Sequence, residues 1–167
     1  MEILLTPRLL LRPFTMDDAP LLLELNSDPE VQRYTGDIVM TEISEAEARI
    51  AMYLNWMETV QMARLGVFLR ETNEFIGWCG LIPQHGEVDL GYRFMVRYWG
   101  KGYGTEAAKA VLEWAWRTLP LSYIIGRAEG DNVASCKILE KIGMSYEGDG
   151  IDERDGVPFR RYVIHRP

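Results

Sequence analysis

Apolar residues recur along this chain with two periods, and the change of period divides it. Residues 7–14 form an apolar run fenced by Pro7 and Pro13, which predicts a first strand. Asp17 and Asp18 follow where acids favour a helix start, and Leu21, Leu22 and Leu25 supply one apolar face. Ser27-Asp28-Pro29 ends that helix and caps a short second one, with proline at a first helical position. Over residues 41–64, Ala46, Ile50, Tyr53 or Leu54, and Met57 repeat at helical steps and predict a long helix. Met52, Trp56, Met57 and Met62 add adaptable bulk, suited to a core or to the lining of an acceptor pocket.

From residue 66 the period falls to two. Residues 66–70, 75–83 and 87–96 read as three strands joined by the turns 71–74 and 84–86, hence an antiparallel meander. In the third strand Val88, Leu90, Tyr92, Phe94 and Val96 share the face expected to meet the core. Glu87, Asp89, Gly91 and Arg93 share the other. A helix over 107–119, stopped by Pro120, and a strand over 123–128 then suggest a parallel crossover. Asp131-Asn132 opens a further helix along Ala134, Ile138 and Ile142, with Gly143 as its stop. Residues 144–165 read as a hairpin around Asp155-Gly156, a type I′ pair. The expectation is one α/β (α+β) domain over residues 1–167.

Composition narrows the partners. The 167 residues are 47% hydrophobic and 26% charged, with a net charge of -7. No basic tract exists to bind nucleic acid, and an acidic surface suits a cationic substrate such as an amine, although the same charge also serves solubility. Cys79 and Cys136 form no C-x-x-C, and His85 and His165 lie in unrelated segments, so no metal site is expected. Nothing reads as a signal peptide or membrane span, which makes a cytoplasmic setting the default.

The densest chemistry lies in Arg97-Tyr98-Trp99-Gly100-Lys101-Gly102-Tyr103-Gly104-Thr105-Glu106, between a strand and a helix. A helix N-terminus offers unpaired N–H groups and a positive dipole end, and glycines let backbone close on a phosphate. The run is not a Walker loop, G-x-x-x-x-G-K-[ST]. It is not a dinucleotide fingerprint either, because its spacing is G-x-G-x-G and several strands precede it.

The run resembles the R/Q-x-x-G-x-G/A loop of the GCN5-related N-acetyltransferases, with Arg97, Gly100, Gly102 and Gly104 in its places. Asn132-Val133-Ala134-Ser135-Cys136-Lys137-Ile138-Leu139-Glu140-Lys141-Ile142-Gly143-Met144 looks like the second motif of that family, N-x-x-S-x-x-[VI]-[LM]-E-K-[LI]-G-[FM]. The opening Thr6-Pro7-Arg8-Leu9-Leu10-Leu11-Arg12-Pro13 resembles its ribosomal-protein (RimJ/RimL) and aminoglycoside branches. The resemblance implies a mixed, twisted, mostly antiparallel sheet with helices on both faces, in which the strand before the loop bulges and splays from its parallel neighbour. It implies acetyl-CoA as cosubstrate. The pyrophosphate would lie on the loop amides of Gly100, Lys101, Gly102, Tyr103, Gly104 and Thr105. The pantetheine arm would lie on Met95, Val96 and Arg97, with Asn132 and Ser135 beside it. An amine-bearing acceptor, either a protein N-terminus or a small molecule, completes the reaction. Aminoglycosides and polyamines stay open as acceptors, as do a non-catalytic acyl-CoA sensor and a homodimer.

Acetyl transfer needs a neutral amine and a protonated leaving thiolate. At pH 7 a lysine-type amine costs about 4–5 kcal/mol to deprotonate and an α-amine about 1 kcal/mol. Asp89 and Glu87 are the candidate bases. Asp89 stands where relatives carry Glu in a Glu-Ile-Gly-Tyr run, and the alternative is that either is a solvated strand-face acid. Many relatives protonate the thiolate with a tyrosine at the position of Leu139. Ser135 is the remaining candidate, as in the ribosomal-protein branch, unless it only bonds the helix start.

Overall fold

A computed structural model describes residues 2–129, 131–153 and 155–167. Eight strands form one sheet: β1 (Leu4–Leu5), β2 (Leu9–Arg12), β3 (Arg64–Leu69), β4 (Phe75–Gln84), β5 (Glu87–Phe94), β6 (Tyr123–Glu129), β7 (Ser145–Ile151) and β8 (Pro158–His165). Their order is β1-β2-β3-β4-β5-β6-β8-β7, antiparallel throughout except for β5 beside β6. The helices are α1 (Ala19–Ser27), α2 (Pro29–Gln32), α3 (Ile43–Val60), α4 (Tyr103–Thr118) and α5 (Val133–Lys141). On one face α4 packs on β4 and β5 and carries α5; on the other α1 packs on β4 and carries α3. Such two-sided cover explains why β3 and β4 are buried almost residue by residue rather than on alternate positions.

The helix predicted over 41–64 is shorter than its periodicity. A capping box between Glu42 and Glu45 starts α3. Gln61 in the left-handed region, φ 58°, stops it. Arg64 belongs to the sheet, where its guanidinium has carbonyls to bond. The helix predicted from 107 starts earlier, at Tyr103, directly on the glycines.

The tightest hairpin is not where it was predicted. Gln84 pairs with Glu87, and His85 and Gly86 between them have φ of 51° and 79°, the two positive values a type I′ turn needs. Ile151 instead pairs with Pro158, so the Asp155-Gly156 loop spans residues 152–157. It is closed by the Gly156 amide on the Asp152 carbonyl at 2.8 Å. Arg154 of that loop lies outside the described residues.

The strand pair β5/β6 positions the site. The two are paired only at Asp89/Ile125 and Leu90/Gly126, and beyond these Gly91–Phe94 and 127–129 part company. The bulge expected in β5 is absent. The β4–β5 ladder keeps one register from Gln84/Glu87 to Gly77/Phe94, so the splay comes from β6 leaving, held by β8.

Candidate active site

The glycine run forms the wall at the end of β5. A 3-10 turn over Val96–Tyr98 leads to Gly100 (φ 73°) and Gly102 (φ 82°), and Gly102 caps α4. A Cβ on Gly100 would meet nothing within 4 Å, and one on Gly102 would meet only Arg8 Nη2 at 3.3 Å. These two glycines are therefore required by backbone conformation and leave open space over the helix start. Gly104 differs: a Cβ there would stand 2.8 Å from Ile138 Cδ1, so this glycine lets α4 close on α5. Arg97 is 53% exposed and lies 3.4 Å from both Glu24 and Glu74. Lys101 stands over the Tyr98 ring.

Arg8, which the sequence reading left unassigned, fastens the loop. Its backbone amide and Nε bond the Glu106 carboxylate at 2.9 and 2.6 Å, and its Nη1 bonds the Lys101 carbonyl at 3.0 Å. Thr6 Oγ1 adds a bond to Glu106 at 2.6 Å. Burial alone would raise the Glu106 carboxyl, but these donors outweigh it and hold it below the usual carboxylate range. The opening motif and the glycine loop are thus one hydrogen-bonded unit.

A cavity of about 270 Å³ opens at the splay. Tyr34, Met52 and Trp56 from the first half of the chain, Asp89 and Arg93 of β5, and Asn132 and Ser135 at the start of α5 all line it. Met52 and Trp56 thus belong to the lining, whereas Met62 is buried in the core.

The face of β5 that carries Asp89 is not a solvated one. Asp89 is 6% exposed, and its Oδ2 accepts from Arg64 Nη2 at 2.7 Å. Arg64 also bonds the Gly80 and Asp89 carbonyls and stacks on Trp78. Gly91 is what lets it in, since a Cβ there would stand 2.6 Å from Nη2. Burial pushes the Asp89 carboxyl up, and Arg64 opposes that. Arg93, also buried, bonds Asn26 at 2.7 Å and Asp37 at 2.6 Å. Glu87 sits at the far end of β5, holding Arg161 at 2.5 Å and Tyr123 at 3.2 Å, and does not line the cavity.

On α5, Asn132 Oδ1 accepts from the Ser135 amide at 3.1 Å, so Asn132 is a helix cap at the cavity wall. Ser135 Oγ does not bond the helix start; it lies 2.9 Å from the Tyr92 hydroxyl. The sequence reading placed Tyr92 on the core face. Its alternation with Leu90 and Phe94 is correct, but the phenol reaches α5. Cys79 is buried and its thiol is pushed up to about 12 by desolvation, which removes it as a nucleophile. Among the described residues no cluster could hold a metal ion, and no helix is long and apolar enough to cross a membrane.

A strand pair that parts beside a glycine-capped helix, over a polar cavity, is the arrangement that the resemblance of the two motifs implies. Residues 8–145 match the model of the acetyltransferase (GNAT) domain, and the chain belongs to that family. It is 33% identical over 151 residues to an N-acetyltransferase of Bacillus licheniformis called p20, covering 89% of this chain and 85% of the other. A GNAT-family acetyltransferase from Bacillus anthracis superposes with a TM-score of 0.86 at 26% identity, over 99% of both chains. The ribosomal L7/L12 α-N-protein acetyltransferase RimL, solved in complex with coenzyme A, shares the fold with a TM-score of 0.85 at 18% identity, over 98% of each chain. The chain is an acetyltransferase.

Proposed function

We propose that this chain moves the acetyl group of acetyl-CoA directly to a primary amine, and that a protein or peptide N-terminal α-amine is the preferred acceptor. The observation that carries the reading is the splay of β5 from β6 beyond Leu90/Gly126, which opens beside Ser135 and over Asp89. The residues present fit the cosubstrate. Gly100 and Gly102 leave a cradle clear of side chains except Arg8. The parted strands leave main-chain groups at residues 91–94 without a partner on β6. Gly100, Lys101, Gly102, Tyr103, Gly104 and Thr105 would hold the pyrophosphate on backbone amides. Met95, Val96 and Arg97, with Asn132, would flank the arm. Acetyl-CoA supplies an activated acyl carbon on a thioester.

The amine nitrogen bonds to that carbon as the carbon–sulfur bond breaks. The amine's proton leaves toward Asp89 Oδ1, the oxygen not engaged by Arg64, directly or through water. Ser135 gives its hydroxyl proton to the departing thiolate. Burial raises the Asp89 carboxyl, and Arg64, bonded to its Oδ2, opposes that rise and so limits it as a base. This favours an α-amine, which costs about 1 kcal/mol to deprotonate at pH 7, over a lysine-type amine at about 4–5 kcal/mol. Glu87, tied to Arg161 away from the cavity, serves the sheet in this reading.

Coenzyme A release over a panel of N-terminal peptides, lysine-side-chain amines, a polyamine and an aminoglycoside tests the assignment. Turnover is expected with α-amines first. Tight acetyl-CoA binding without release for any amine would leave a cofactor sensor and overturn the proposal.

A further inference from the structure

Among the described residues, Tyr92 is the ionisable side chain hydrogen-bonded to the proposed acid, and nothing in the reading above uses it. It stands on β5 just past Leu90, the last residue paired to β6, and lines the cavity together with Ser135. Its hydroxyl is 2.9 Å from Ser135 Oγ and 2.9 Å from the Ser135 carbonyl oxygen. A phenol has one proton and here has two acceptors at the same distance. Ser135 itself is pinned on both sides, its amide by Asn132 and its carbonyl by Tyr92, so its hydroxyl is the remaining rotor.

We infer that Tyr92 is a positioning residue that refills Ser135: as the Ser135 hydroxyl gives its proton to the leaving thiolate, the Tyr92 proton swings from the Ser135 carbonyl to Ser135 Oγ. The inference rests on the proposed role of Ser135 as proton donor. In the resting arrangement the Tyr92 proton lies on the Ser135 carbonyl and the Ser135 proton faces the phenol or the cavity. When the sulfur takes the serine proton, Oγ becomes the stronger acceptor, and the phenolic proton transfers with no heavy atom moving. The new S–H bond takes the serine's proton and the serine's O–H bond is re-formed with the tyrosine's. After coenzyme A leaves, water in the cavity returns a proton to the phenolate through Ser135, matching the proton the amine gave up. No oxidant or further reactant is needed. Burial pushes the phenol above its ordinary range, with Cys79 of β4, Cys136 of α5 and Asp89 of β5 adding to that effect and the Ser135 bond opposing it, so Tyr92 carries its proton at working pH.

Four measurements on the intact chain test this. Tyr92→Phe, which removes only the hydroxyl, should lower kcat roughly 10- to 100-fold with the KM for acetyl-CoA nearly unchanged. Added to Ser135→Ala it should cause no further loss, because both variants break one relay. The solvent-isotope proton inventory of kcat should bow in the wild type and straighten in Tyr92→Phe. Incorporating 3-fluorotyrosine at position 92 keeps the ring's shape while making the phenol a stronger acid, and should change kcat and its solvent isotope effect with the KM for acetyl-CoA nearly unchanged, which gives a readout even if Tyr92→Phe folds poorly. Losses that multiply in the double variant, or an unchanged kcat in folded Tyr92→Phe, would overturn the relay while leaving the acid role of Ser135 standing. Full turnover in Ser135→Ala would remove the acid role and the relay together.

Discussion

Asp89 shows how far a residue's chemistry departs from its place in a pattern. Alternation along β5 put it opposite Leu90, and that is where it lies. Its surroundings were not legible, because Arg64 and Asp89 meet across β3, β4 and β5. A sequence shows an arginine before a strand, not which carbonyls it will find. The pairing changes what a substitution does. Asp89→Asn leaves the Arg64 guanidinium buried without its counter-charge and should cost about 3 kcal/mol of stability, read by denaturant titration. In the variant that remains folded, turnover should fall most at low pH, where neutral amine is scarce. A burial-raised carboxyl is protonated, and so lost as a base, at higher pH than an exposed aspartate, so the wild-type acid limb should lie above the ordinary aspartate range. Ser135→Ala should cut kcat about 100-fold with cofactor affinity nearly unchanged. If Ser135 were structural, the melting temperature would fall and turnover would not.

The glycine loop and α4 were the most legible elements, since three glycines beside a helix have few physical uses. The distinct tasks of those glycines emerge only from tertiary contacts. Gly102→Val places a branched side chain at φ 82° beside the expected phosphates, and calorimetry should show acetyl-CoA affinity lowered tenfold or more. Gly104→Val instead pushes on Ile138, which overpacks the α4–α5 contact and should lower stability by about 1–3 kcal/mol. The fastening of this loop by Thr6 and Arg8 was invisible, because it joins residues about a hundred positions apart. The hairpin turns show the converse error. Asp155-Gly156 has the better turn composition, yet the strand register gives the two-residue turn to His85-Gly86. Turn propensity yields there to the pairing of long strands on either side.

At the scale of the molecule, the sheet is covered on both faces, and its acid sensitivity should begin at its first corner. Asp18 ends the 3-10 turn before α1; its carboxylate accepts from the amide of the cap residue Thr15 at 2.8 Å and takes two bonds from Arg12, at 2.7 and 2.8 Å. Burial would raise the Asp18 carboxyl, but Arg12 and the Thr15 amide outweigh it, so its pKa falls on folding. That stability is present above the unfolded value, about 3.9, and is lost as pH falls through the lower folded value. Arg12→Ala should therefore cost about 2 kcal/mol at neutral pH and progressively less as pH falls below 4. The β3–β4–β5 meander and the parallel crossover followed from periodicity, and the helix cover on both faces and the parted parallel pair from the family resemblance. That β8 rather than β7 lies beside β6 did not, because a hairpin's own sequence does not say which of its strands joins the sheet. The acceptor did not, because its cavity is walled by segments distant in sequence, from Tyr34 through Met52 to Ser135. The central claim is direct transfer from acetyl-CoA to an amine held together in that cavity. Initial rates of coenzyme A release with acetyl-CoA and an N-terminal peptide varied against each other test it most directly: a ternary complex predicts intersecting double-reciprocal lines, and parallel lines, the mark of an acetylated enzyme, would contradict it.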